Sequence, residues 1–111
     1  MNIIRYEDVE IADTPHGVDV RKLFESEHVS VVEIKLGHGQ GLKKHTTSVD
    51  VFFYILAGHG IVEIGDEQEH VSTDMLVESP KGIPHTVSNE CDEPLRFLVV
   101  KTPAPGKRKP D

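Results

Sequence analysis

His45 in "HTTSVDVFFYILAG" and His85 in "SPKGIPHTVSN" are the residues of this 111-residue chain best suited to chemistry. A neutral imidazole ligates transition metals, and it can also exchange a proton or a hydrogen bond with an organic molecule. Asp50 is the carboxylate nearest to His45 in the sequence. Turned inward, it would complete two imidazoles and one carboxylate, the donor set of non-haem iron enzymes. In a regular strand Asp50 and Val51 point to opposite faces, so an inward Asp50 needs a bulge at the strand entrance. The stretch opens like one half of a metal-binding strand pair but lacks the further histidine or carboxylate that would finish one.

The elements that must position these residues read as strands. From about residue 17 onward, short apolar runs alternate with Gly, Pro, Asn and Asp, and no helical period is sustained. "VDVRKLF" and "HVSVVEIKL" form a predicted hairpin, with Val32, Ile34 and Leu36 on one face and Val31, Glu33 and Lys35 on the other. "VFFYILAG" is apolar on both faces. "GIVEIG", "EHVST", "DMLVESP", "HTVSN" and "LRFLVVKT" follow, about eight strands in all, which predicts an all-β sandwich or barrel. Residues 1–16 are expected to be an N-terminal arm or an edge strand, 17–102 the domain, and 103–111 a disordered basic tail.

Composition narrows the partners. The net charge of −7 argues against general nucleic-acid binding, because phosphate contacts need clustered Lys and Arg. Lys107, Arg108 and Lys109 in the tail are the exception. The single cysteine, Cys91, excludes an internal disulfide and a thiolate zinc site. No apolar run approaches a membrane span and no secretory leader is evident, so a cytoplasmic protein that does not bind membranes is expected. "GHGQG" is no phosphate loop, since neither a Lys-Ser/Thr pair nor a helix follows it. His38 and His59 lie between glycines, and His16, His28 and His70 lie in loops or at strand ends, where surface positions are expected.

Two motifs resemble those of the cupin family, small jelly-roll β-barrels. Gly39, His45, Thr47, Val51 and Gly58 fall on the spacing of the first cupin motif, and Asp74, Pro80, Gly82, His85 and Asn89 on that of the second. The resemblance implies a single jelly-roll barrel of antiparallel strands, with His45 and His85 pointing inward as metal-ligand positions near its mouth. Thr47 stands where the family has a second histidine, and Val51 where it has a glutamate. A threonine hydroxyl is a weak ligand and valine is none, so the expected cofactor is none, or a weakly bound Zn, Ni, Fe or Mn ion.

Alternation from His45 predicts a pocket of His45, Thr47, Val51, Phe53 and His85, with Phe97 or Leu98 from the last strand. A largely apolar cup with a few polar groups suits a small organic ligand. The leading expectation is a binding or sensor module. The alternative, of a kind the resemblance implies, is a metal-dependent enzyme of dioxygenase or isomerase type using His45, His85 and Asp50, and a purely structural module ranks third. Phe52, Tyr54 and Leu56 on the outer face of the same strand need a cover, which makes a homodimer expected.

Overall fold

A computed structural model describes residues 1–104. The expected basic tail therefore lies outside the described residues beyond Ala104. Eight strands occur: β1 (Asp19–Glu25), β2 (Ser30–Leu36), β3 (Asp50–Ala57), β4 (His59–Ile64), β5 (Glu67–Ser72), β6 (Leu76–Ser79), β7 (His85–Ser88) and β8 (Leu95–Thr102). They form a five-stranded sheet, β1-β2-β8-β3-β6, and a three-stranded sheet, β5-β4-β7, with every pairing antiparallel. The all-β expectation holds, with two sheets sharing one core. Among the described residues no helix is long and apolar enough to cross a membrane.

Alternation sets what the large sheet buries. Ile34 and Leu36 on β2, Val51, Phe53 and Ile55 on β3, and Leu95, Phe97 and Val99 on β8 meet Val62, Val71 and Val87 of the small sheet in one cluster. Phe53 and Phe97 are 1% and 0% exposed and touch edge to face at 6.0 Å.

The outer face of the large sheet departs from the simple pattern at Glu33, which is only 2% exposed. Arg96 from β8 places Nε and Nη2 at 2.7 and 2.6 Å from Glu33 Oε2. The Tyr6 ring covers the pair, lying 4.9 Å from the Arg96 guanidinium and 4.2 Å from that of Arg21. Tyr6 belongs to a short 3-10 turn, Tyr6–Asp8, in the N-terminal segment, which forms no strand and so lies as an arm. Farther along, the Ala12 amide donates to the Val20 carbonyl, holding the arm along β1.

The motif glycines sit at left-handed turns. Gly58, between β3 and β4, has φ +91°, and a Cβ there would overlap the Pro94 carbonyl oxygen. Gly82, at φ +78°, precedes His85 and donates its amide to the Thr47 carbonyl at 2.9 Å. No atom lies near a Cβ at Gly82, so a side chain there meets backbone strain alone. Gly82→Val is expected to cost about 1–3 kcal/mol, and Pro80→Ala about 1 kcal/mol or less. Equal thermal midpoints for the two variants would contradict this reading of the turn.

Candidate functional site

β7 begins at His85, which the Pro80–Pro84 turn delivers into the interior at 2% exposure. The backbone pairs His85 with His45: the His85 amide donates to the His45 carbonyl at 2.9 Å, and the His45 amide to the His85 carbonyl at 3.2 Å. This two-residue bridge holds the imidazoles edge to face, 4.7 Å between centroids. Behind them, Ser79 Oγ lies 2.7 Å from His85 Nδ1, and Phe53 packs edge-on at 5.3 Å. Asn89 at the end of the second motif is fully buried and structural. It donates to the carbonyls of Leu36 and Glu93 and accepts the Cys91 amide.

A third imidazole joins from the N-terminal arm. His16, expected at the surface, lies 5.1 Å from the His45 ring. The Lys43 backbone holds both rings, its amide donating to His16 Nδ1 at 3.1 Å and its carbonyl accepting from His45 Nδ1 at 2.7 Å. Neutral His16 therefore carries its proton on Nε2 and has no lone pair left for a metal, whereas His45 keeps a free Nε2 lone pair. His38 stays outside, bound to the Cys91 carbonyl at 3.0 Å.

Two of the three rings, those of His16 and His85, line a cavity of about 360 Å³, and His45 is not on its wall. His16, His85, Phe53, Val99, Lys22 and Lys101 are on its wall. Lys101 is the residue that sequence reasoning missed. It shares the inward face of β8 with Leu95, Phe97 and Val99, so alternation alone could have found it. Burial lowers its pKa below the ordinary lysine value.

Other sequence-predicted residues need correction. Asp50 is exposed, and its Oδ1 accepts the Lys81 amide at 3.0 Å, which turns the carboxylate toward the Pro80–Pro84 turn instead of the imidazoles. The bulge that would have turned it inward is absent, since β3 pairs in register from Asp50 through Ile55. Thr47 Oγ1 donates to the Val49 carbonyl at 2.8 Å. Residues 46–49 are not in a strand, so alternation from His45 does not carry through them. Of the predicted pocket only Phe53 and His85 are on the cavity wall; His45 and Thr47 are not, Val51 and Phe97 pack in the core beside it, and Leu98 faces outward, half-buried.

The donor set does not fit a resident metal. Two imidazoles remain at family ligand positions, the other two hold Thr47 and Val51, and among the described residues no three His, Cys, Asp or Glu side chains come together to hold an ion.

Comparison with known proteins settles the family. A family model described as a cupin domain matches residues 30–101. The chain is a cupin. It is 30% identical over 89 residues to the uncharacterised protein MJ0764 of Methanocaldococcus jannaschii, covering 79% of this cupin and 77% of that protein. It is 32% identical over 89 residues to the uncharacterised protein YrkC of Bacillus subtilis, of which it spans 47%. Among solved structures, TT1209 from Thermus thermophilus superposes with a TM-score of 0.81 at 30% identity, over 95% of this cupin and all of that chain.

The cavity leaves a pH signature on this cupin. Burial, then the neighbouring His45, Lys101 and His16, lower the His85 pKa from 6.5 to about 4. Because the folded pKa is depressed, the unfolded chain binds a proton that the native state does not, and stability falls as pH drops from 6.5 toward 4. About 2 kcal/mol is expected to be lost between pH 6.5 and 5. Urea unfolding of His85→Gln should show a flatter slope over that range, and an unchanged slope would contradict the assignment.

Proposed function

We propose that this cupin is a cytoplasmic binding or sensor module that holds a small organic molecule in the cavity lined by His16 and His85. The supporting observation is the pairing of a cavity of about 360 Å³ with a depleted donor set. Val20, Val32, Ile34, Leu42, Phe53 and Val99 supply apolar walls, while His16, His85 and Lys101 supply a few polar contacts. The alternative, a metal-dependent enzyme, needs a third ligand, and the Asp50 carboxylate is held by the Lys81 amide. A screen of small organic molecules by protein-observed NMR tests the reading. Binders should shift the amides of Phe53, His85 and Val99, and shifts confined to the outer surface would contradict it.

The same proposal has the module working as a homodimer through the outer face of the large sheet. Phe52 stands opposite Val100 and Tyr54 opposite Leu98 on that face, and Phe52, Tyr54, Leu56 and Leu98 are half-buried there. Light scattering at micromolar concentration should return twice the chain mass, and a monomer mass would count against this interface.

A further inference from the structure

We infer that the cavity selects a small organic anion, a carboxylate on a short apolar body, with Lys101 as its counter-ion. The inference rests on the proposed binding function and deepens it. Lys101 is placed by β8 register on the face that otherwise carries Leu95, Phe97 and Val99, opposite Ser30 of β2 and Val51 of β3. An ammonium there is partly removed from water, and a bound anion would restore the lost solvation.

The rest of the wall agrees in sign. Lys22 also lines the cavity, and Glu25 is the only carboxylate on it among the described residues, in a chain whose net charge is −7. The local charge is thus opposite to that of the molecule as a whole. His16 contributes neutral N–H capacity, because the Lys43 amide fixes its Nδ1 as acceptor and leaves the proton on Nε2. Thr14 Oγ1, on the same wall, is buried without a hydrogen-bond partner among the described residues, a hydroxyl for which a ligand oxygen would supply the missing contact. The apolar remainder, Val20, Val32, Ile34, Leu42, Phe53 and Val99, suits a hydrocarbon body more than a second charge.

Hexanoate, 1-hexanol and inorganic phosphate, titrated separately into the full chain and followed by amide shifts, test this. Hexanoate is expected to bind at least tenfold more tightly than hexanol, with shifts at Thr14, His16 and Lys101, against the general repulsion that a net negative protein exerts on anions. Lys101→Met should remove that preference while leaving hexanol binding in place, and Lys101→Arg should retain it. Equal binding of hexanoate and hexanol, or an undiminished preference in Lys101→Met, overturns the anion assignment while leaving the small-molecule cavity standing. Phosphate binding as tightly as hexanoate overturns the carboxylate-plus-apolar class. Absence of cavity shifts with every probe overturns both the inference and the function on which it rests.

Discussion

Arg96→Ala is expected to destabilise the protein by about 3–5 kcal/mol, because it strands the Glu33 carboxylate at 2% exposure without its guanidinium partner. Arg96 gives two short contacts to one oxygen, and although its own side chain is 38% exposed, that of Glu33 is only 3% exposed. The cost is mostly desolvation of the orphaned charge, so replacing both partners should be far milder than removing one. Glu33→Leu combined with Arg96→Met is expected to recover most of the loss. Urea unfolding of the single and double variants provides the cycle. A loss below about 1 kcal/mol for Arg96→Ala would mean that Glu33 reaches water or another partner in solution.

Thr47→His together with Val51→Glu is expected to raise affinity for Zn²⁺ by about two to three orders of magnitude. The gain comes from ligand number, since the wild-type positions offer His45 and His85 alone and the new residues add an imidazole and a carboxylate. Val51 is 4% exposed, so the glutamate enters an apolar environment and the metal-free variant should melt below the wild type. Metal binding should then raise its midpoint, because an ion bound only by the folded state stabilises it by mass action. Calorimetric titration checks the affinity and a thermal scan with and without Zn²⁺ checks the linkage. An affinity within threefold of the wild type would show that positions 47 and 51 do not converge on the imidazoles.

Both motifs were legible because their spacing encodes turn geometry as well as ligands. Gly39, Gly58 and Gly82 all have positive φ, and Asp74, which stands where the second motif has glycine, adopts φ 69° and is held by Tyr54 Oη on its carboxylate at 3.1 Å. Such turns are local, so sequence spacing reports them. Strand faces were equally legible: Phe53 and Ile55 point inward and Phe52 and Tyr54 outward, as alternation requires.

What sequence could not reveal depended on contacts between segments distant in the chain. His16 reaches the site only because an irregular arm folds over the Lys43 backbone, 27 residues away. A loop without periodicity gives no sign of that. The direction of Asp50 was decided by an amide 31 residues later, and the burial of Glu33 by Arg96, 63 residues on, and by Tyr6 from the arm. Lys101 is a different case, because its inward direction was readable from Leu95, Phe97 and Val99, and the charged side chain merely disguised it.

The central claim, a cupin cavity kept for an organic ligand with its metal site depleted, is tested most directly by titrating Zn²⁺ and Fe²⁺ calorimetrically into untagged wild type and into Asp50→Ala. The expected result is weak binding, with no saturation at equimolar metal, and indistinguishable isotherms for the two proteins. Tight stoichiometric binding by the wild type that disappears in Asp50→Ala would contradict the claim and establish a site of two histidines and one aspartate.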